Sequence, residues 1–326
     1  MINILVTGGA GYIGSHTVRA LLKANYNVVV LDNLSTGFEV ALPIGTVFKK
    51  GDVRNEFFLN QIMREQKFDA VIHLAAKLNV QESTTKPLEY FENNTYGMLT
   101  LLKSMEKHEI KRIVFSSTAA VFGNLVQNRP LIEDDEKKPL NPYGESKLAS
   151  EKILESVSQL GNVKFCTLRY FNVAGGALDG LNGQRTAKAY HLIHLSTQKA
   201  ARKLPFLEIF GTDYSTEDGT CVRDYIHVED IADIHVLALQ SLLQGAPSAS
   251  YNCGYGTGYT VREVISVVQK ISGYQFKVRE SLRRAGDPAF LVADSSKLKN
   301  VLGWKPLRQD LEIICKTAYQ WEMKNK

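Results

Sequence analysis

Tyr143 and Lys147 stand four residues apart in Tyr143-Gly144-Glu145-Ser146-Lys147, directly after Asn141-Pro142. On a helix that spacing stacks a phenol and an ammonium on one face. Upstream, Phe115-Ser116-Ser117-Thr118 ends an apolar run with hydroxyls. Phenol, ammonium and hydroxyl together equip a protein for proton transfer at a carbinol carbon. A free tyrosine, with a pKa near 10, is a poor base at neutral pH. One positive charge about 4 Å away, at an effective dielectric of ~20, contributes roughly 4 kcal/mol, or about three pKa units. Lys147, with one further cationic group beside the phenol, is therefore sufficient to bring Tyr143 near neutrality. Alone, a Tyr-x-x-x-Lys match is weak, because both residues are frequent on helix surfaces. Its force comes from what precedes it.

Leu5-Val6-Thr7-Gly8-Gly9-Ala10-Gly11-Tyr12-Ile13-Gly14 joins an apolar strand to a helical pattern. Gly8 suits a tight turn, Gly11 lets backbone approach a pyrophosphate, and Gly14 lets the helix pack closely on the sheet. The helix N-terminus offers free N–H groups and the positive end of its dipole to phosphates. Asp32 lies 24 residues after Gly8, where an acid can hold ribose hydroxyls. Its charge repels a 2′-phosphate and no Arg follows it directly, so NAD is favoured over NADP. Gly51-Asp52-Val53 is a candidate contact for the adenine, or a plain turn.

These residues need a scaffold that brings strand ends together. Ile2–Val6, Val28–Leu31, Val47–Lys49, Ala70–Leu74, Arg112–Phe115 and Phe165–Leu168 read as strands. Ile13–Lys23, Asn55–Arg64, Leu88–Lys107 and Tyr143–Val157 carry apolar residues at helical spacing. Strict alternation of strand and helix predicts an α/β fold, a Rossmann-type doubly wound parallel sheet, with ligands at the carboxyl ends of its strands. After Tyr170 the rhythm breaks. Asn172–Gln184 is rich in glycine and small residues, and helices are expected at Val228–Leu243, Val261–Ile271 and Asp310–Glu322. The expected division is a dinucleotide-binding domain over 1–172 and a smaller substrate-binding α/β domain over 173–326, with the helix at 228–243 packing back on the first.

The 326 residues, 44% hydrophobic and 22% charged, are ample for a buried core and exclude disorder. No apolar run approaches the roughly 18 to 20 residues needed to span a bilayer. The beginning, MINILVTGG, shows no basic leader, and a cytoplasmic location is expected. Cys166, Cys221, Cys253 and Cys315 form no CxxC pair, so neither zinc nor a disulfide framework is expected. A formal charge of +5 without a Lys/Arg block fits a small anionic ligand, and no nucleic-acid partner is expected. His191 and His194 hint at a metal, yet no acid or thiol completes a site, and no metal is expected. Glu133-Asp134-Asp135-Glu136 reads as a solvated loop.

Taken together, the glycine motif, Ser116-Ser117-Thr118, the Tyr143/Lys147 pair and Arg169-Tyr170-Phe171-Asn172 resemble the UDP-glucose 4-epimerase family of extended short-chain dehydrogenase/reductases. The resemblance continues through Phe210-Gly211-Thr212-Asp213-Tyr214, Thr216 to Val228, Arg283-Arg284-Ala285-Gly286-Asp287 and Leu302-Gly303-Trp304. It covers nearly the whole chain. The glycine and Tyr-Lys motifs specify only the superfamily, whereas the segment from Thr216 to Val228 is much more specific.

That resemblance implies a tightly bound NAD, removal of hydride from sugar C4 while Tyr143 takes the 4-hydroxyl proton, and turnover of the 4-keto sugar before re-reduction on its other face. By motif position Lys147 binds the nicotinamide ribose and Thr118 hydrogen-bonds the reacting hydroxyl. Gly8, Gly11, Tyr12, Ile13, Gly14, Asp32, Asn33, Leu34, Ser35, Thr36, Gly37, Asp52, Val53, Leu74, Ala75, Ala76, Asn93, Ser116 and Phe171 are implied to line the NAD site. Asn172, His191, Leu192, Glu208, Ile209, Phe210, Arg223, Arg284, Asp287 and Leu291 fall at nucleotide-sugar positions. Guanidinium groups fork onto diphosphate oxygens, which gives the two arginines a physical sense, although Arg283-Arg284 alone also reads as a solvated basic pair. A homodimer is implied as well.

The chain departs from the family pattern at Lys77, one position early, at Tyr96, where Asn is usual, and over 175–187. Leu291 is bulky at a position that tunes tolerance for an N-acetyl group, which leans toward UDP-glucose and UDP-galactose. Epimerases of UDP-N-acetylhexosamines or of another UDP-sugar remain alternatives, as does a catalytically silent NAD-binding regulator. Dehydratases of the same fold need an acid beside Thr118, and Ala119-Ala120 follow instead.

Overall fold

A strand enclosed by helices on both faces must be apolar on both, and Asn3–Thr7 (β1) is buried over its last four residues. The computed structural model describes residues 2–124, 129–185, 191–284 and 286–325. After β1 come α1 (Tyr12–Lys23), β2 (Asn27–Asp32), β3 (Val47–Lys50), α2 (Glu56–Glu65) and β4 (Ala70–His73). Then follow α3 (Val80–Thr85), α4 (Pro87–Tyr90), α5 (Gly97–Lys107), β5 (Arg112–Thr118), α6 (Pro142–Gln159) and β6 (Lys164–Tyr170). The remainder runs β7 (Asn172–Ala174), α7 (Leu192–Ala200), β8 (Leu207–Phe210), β9 (Val222–His227) and α8 (Val228–Leu243). It closes with β10 (Ala249–Cys253), β11 (Gly258–Thr260), α9 (Val261–Ser272), β12 (Val278–Ser281), β13 (Phe290–Leu291), α10 (Ser296–Leu302) and α11 (Leu311–Lys324).

Two units emerge from the contacts. The first comprises 1–123, 137–169 and 232–251. Its seven-stranded sheet has the order β10-β6-β5-β4-β1-β2-β3, with the β3/β2, β2/β1, β1/β4 and β4/β5 pairs all parallel. The direction of winding reverses between β1 and β4, which is where an open α/β sheet leaves a crevice at its carboxyl edge. Leu5, Leu31, Val71 and Phe115 of the sheet meet Met98 and Leu101 of α5 and Leu154 of α6 in one buried cluster. The doubly wound parallel sheet expected from the alternation is therefore present.

The second unit comprises 124–136, 170–231 and 252–326. It holds a sheet of order β11-β9-β13, with β7 also paired to β9, and a separate parallel β8/β12 pair. Helices α7, α9 and α11 pack against one another. Helix α9 begins with a reciprocal cap between Thr260 and Glu263 and ends on Gly273 at φ 64°. Among the described residues no helix is long and apolar enough to cross a membrane.

Two expectations need correction. Leu88–Lys107 reads as one helix, yet Phe91–Tyr96 is a π-helical turn between α4 and α5. The wider turn accompanies buried Asn94, whose amide is drawn away from the helix to three tertiary partners described below. The acidic stretch 133–136 is not wholly solvated either. Glu133 is buried because its carboxylate accepts the backbone N–H of Asn252 at 2.8 Å.

Candidate active site

Gly8 holds φ at +74°, and a Cβ there would sit 2.5 Å from the backbone nitrogen of Ala75. Only glycine permits both the left-handed turn and that approach of β1's exit to β4's exit. A Cβ on Gly14 would lie 2.1 Å from the Gly8 carbonyl oxygen. The third glycine thus packs the helix against the turn itself. Gly11 is the N-cap of α1 and brings no side-chain cap, so the helix N-terminus, the positive end of its dipole, follows directly on the glycine turn.

At the end of β2, Asp32 is buried and accepts N–H groups from Ala10 at 3.0 Å and Leu34 at 2.8 Å. Burial pushes its carboxyl upward, and the two backbone donors oppose that. Leu34 adopts φ 58°, costly for a branched side chain, while Asn33 Oδ1 accepts the Ser35 N–H at 2.9 Å. Phe38 N–H reaches the Ala10 carbonyl at 2.9 Å, which draws the Ser35-Thr36-Gly37 stretch onto the glycine turn. Asp52 accepts from Asn33 Nδ2 at 3.0 Å and from Arg54 at two nitrogens, and this fork holds its acid far below the usual range. Val53 beside it is buried.

Leu74, Ala75 and Ala76 continue from β4, and the Leu74 N–H donates to Thr7 O at 2.9 Å. Thr7, His73 and Phe115 lie side by side in register across β1, β4 and β5. His73 Nδ1 and Thr7 Oγ1 are 2.6 Å apart, and burial pushes the imidazole down to about 3, so it is neutral at pH 7. Asn94 Oδ1 accepts the Lys77 N–H at 2.8 Å, and its Nδ2 donates to Lys77 O at 3.0 Å and Ser146 Oγ at 2.9 Å. Asn93 Nδ2 adds a bond to Asn94 Oδ1 at 3.0 Å. Lys77 itself pairs with Glu89, and Tyr96 is half exposed.

Helix α6 opens with Asn141 accepting Gly144 N–H at 2.9 Å and Pro142 in its first turn. This start places Tyr143 next to Thr118 at the end of β5, and the Thr118 hydroxyl and the phenol oxygen share a hydrogen bond. Burial raises the phenol's pKa and that bond opposes it. Tyr90 packs edge-on against the Tyr143 ring, 6.4 Å between centroids. Lys147 is almost wholly buried, donates from Nζ to Ser116 O at 2.8 Å, and lies 5.0 Å from the Phe115 ring centre. Burial brings its ammonium down to about 7, against the pull of Glu151. Thr118, 25 residues before Tyr143, thus converges with Tyr143 and Lys147 at one strand end.

In the second unit, Arg223 of β9 is buried, donates to Val222 O at 2.8 Å and pairs with Asp287. Leu291 of β13 lies in register beside Arg223. Glu208, Ile209 and Phe210 form most of β8, with Glu208 bonded to Ser281 Oγ at 3.3 Å. The Arg284 guanidinium stacks 3.9 Å from the Phe210 ring centre, whereas Arg283 reaches Asp213 and the Tyr214 ring. Asn172 Nδ2 donates to Asp224 O at 3.2 Å, and Phe171 is buried with its N–H on Cys253 O. His191 caps α7 and Leu192 begins it. Residues 186–187 of the departing 175–187 loop, and Ala285, lie outside the described residues.

A model of the NAD dependent epimerase/dehydratase family matches residues 4–254. The chain belongs to this family. It is 47% identical to a UDP-glucose 4-epimerase of Lacticaseibacillus casei over 320 residues, covering 98% of this chain and 96% of the relative. It is similar to a UDP-glucose 4-epimerase structure from Brucella ovis in complex with NAD, with TM-score 0.95, 38% identity and 99% coverage of each chain. It is also similar to a UDP-glucose 4-epimerase from Bifidobacterium longum in complex with NAD+ and UDP, with TM-score 0.92, 37% identity, and 99% and 98% coverage.

In this member of the epimerase/dehydratase family the sequence points to Asn93, Leu34 and His194, but not to Asn94, to the left-handed backbone at Leu34 or to the acid beside His194. Asn94, next to the expected Asn93, makes the contacts to Lys77 and Ser146, and its only mark in the sequence is a polar amide inside a helical pattern. His194 does have an acid, Glu322, at 3.2 Å, but it arrives 128 residues later. The left-handed Leu34 had no sequence signal.

Proposed function

We infer that this protein interconverts UDP-galactose and UDP-glucose by oxidation and re-reduction at the sugar's C4, with a tightly held NAD. The observation that carries the reading is the convergence of Thr118, Tyr143 and Lys147 at the carboxyl end of β5, within a family named for NAD-dependent epimerases. The first unit fits the dinucleotide. Gly8 and Gly14 leave a cradle that a Cβ would fill, α1 is uncapped by side chains, and Asp32 disfavours a 2′-phosphate. Gly11, Tyr12, Ile13, Asn33 to Gly37, Asp52, Val53, Leu74 to Ala76, Asn93, Ser116, Lys147 and Phe171 complete the proposed NAD set.

Bound NAD supplies an acceptor, and later a donor, of hydrogen at C4. Tyr143 takes the proton of the 4-hydroxyl and returns it on re-reduction, so the same phenol is base and acid. Thr118 orients that hydroxyl and stabilises the phenolate by its hydrogen bond. The Lys147 ammonium, fixed on Ser116 O, favours the deprotonated phenol. Ala119 and Ala120 offer no second acid, which directs the keto sugar back to reduction rather than loss of water.

The UDP-sugar is assigned to the second unit: Arg223 and Arg284 to the diphosphate, and Asn172, His191, Leu192, Glu208, Ile209, Phe210, Asp287 and Leu291 to the nucleoside and sugar. The functional division is 1–172 for NAD, joined by 228–243, and 173–326 for substrate. Exposed apolar Leu88, Phe91, Tyr96 and Leu99 over α4 to α5 support a homodimer. Cys166, Cys221, Cys253 and Cys315 are buried thiols outside any disulfide, which agrees with a reducing cytoplasm. The test is incubation of purified protein with UDP-galactose, without added NAD, and assay for UDP-glucose. Formation is expected, and its absence with protein shown to carry NAD overturns the reading.

A further inference from the structure

Glu151 lies one helical turn beyond Lys147 on α6 and is 1% exposed. Its carboxylate is anchored from two strands. Arg169 at the end of β6 donates from Nε at 3.1 and 3.3 Å and from Nη2 at 2.8 Å. The Ser117 hydroxyl of β5 donates to Oε1 of the same carboxylate. Ser117 sits between Ser116, whose carbonyl holds Lys147, and Thr118, which holds Tyr143. The carboxylate is therefore tied to the same three-residue stretch that carries the reacting groups. We propose that Glu151 is a positioning residue for proton transfer, keeping Lys147 charged and its helical turn fixed against Ser116–Thr118.

The charges around Lys147 make the sign clear. From α6 it faces Tyr143 and Glu151; from β4, His73, which is neutral; from β5, the Ser116 carbonyl, the Phe115 ring and Thr118. Arg169 of β6 is a second cation, bonded to both oxygens of the Glu151 carboxylate. Glu151 is thus the acid that opposes the desolvation of the ammonium. Replacing it by an amide leaves Lys147 and Arg169 with no intervening anion. Replacing Arg169 leaves Glu151 directed wholly at Lys147.

The inference rests on the reading of Tyr143 and Lys147 given above. The experiment is the kcat–pH profile of the protein with its NAD, together with the 13Cε titration of Lys147 in [13C]lysine-labelled protein, its resonance identified by Lys147→Arg. Activity falls as pH rises and Lys147 loses its proton. Glu151→Gln should move that limb and the resonance midpoint down by about one unit, and Arg169→Met should move both up by about as much. Glu151→Asp, which keeps the charge, should lower kcat while leaving the midpoint within about 0.3 units. Ser117→Ala keeps the ion pair and serves if an ion-pair variant fails to fold; it should raise the midpoint by about half a unit. A purely structural role lowers kcat equally at every pH. Midpoints that stay put, or that move the same way in Glu151→Gln and Arg169→Met, overturn the proposal. A fully active Tyr143→Phe would instead end the underlying reading.

Discussion

The side-chain amide of Asn94 donates to the Ser146 hydroxyl at 2.9 Å, and that hydroxyl donates in turn to the Tyr143 carbonyl at 2.8 Å. Because the other arms of the amide clasp the backbone of Lys77, the loop leaving β4 and the first turn of α6 share one anchor. Asn94→Ala removes it without touching a reacting group. Misplacement by about 1 Å can cost up to 10²-fold in rate, so kcat should fall by roughly 10- to 100-fold. Thermal unfolding of the same variant should show a lower Tm, since Lys77 N–H loses its acceptor. A variant with parental kcat would show that the anchor is dispensable.

Tyr143→Phe deletes the proposed acid and base while keeping the ring that meets Tyr90. Steady-state turnover of UDP-galactose should drop by about 10²- to 10⁴-fold with little change in folding. A rate equal to the parent's would remove Tyr143 from the chemistry.

Gly14→Ala places a methyl where only 2.1 Å separates it from the Gly8 carbonyl. The glycine turn must shift, and the expected result is protein that loses NAD on gel filtration while the parent retains it. Absorbance and extracted-cofactor measurements read this directly, and equal retention would show that the turn has slack.

Asp224 gives a stability prediction in the second unit. Its buried carboxylate accepts N–H groups of Tyr255 and Gly256 at 2.9 Å and Ala293 at 3.2 Å, yet burial pushes its acid up to about 6. The folded value exceeds the unfolded one of about 3.9, so the folded chain holds this proton more tightly. That contribution is complete below about pH 4 and disappears as pH rises through 6. Asp224→Ala should flatten this part of the stability–pH curve. It should also cost about 3 kcal/mol or more by leaving three donors unpaired. Denaturant titrations from pH 4 to 7.5 check both, and parallel curves for parent and variant would count against the assignment.

The sequence by itself determined the alternation of strands and helices, the glycine turn, and the identities of Asp32, Thr118, Tyr143 and Lys147. Each is a local signal: periodicity follows from backbone geometry, and a cap such as Asn141-Pro142 acts within one turn. Tertiary structure alone decided where Asn94 reaches, because its three partners lie 17 and 52 residues away and a π-helical turn is needed to aim it. It likewise decided that Glu151 and Arg169 are buried together rather than solvated, and that Gly14 abuts Gly8 rather than the sheet. Partner choice among buried polar groups is settled by which strand ends become neighbours. Side-chain periodicity reports which face is buried, not what that face will meet.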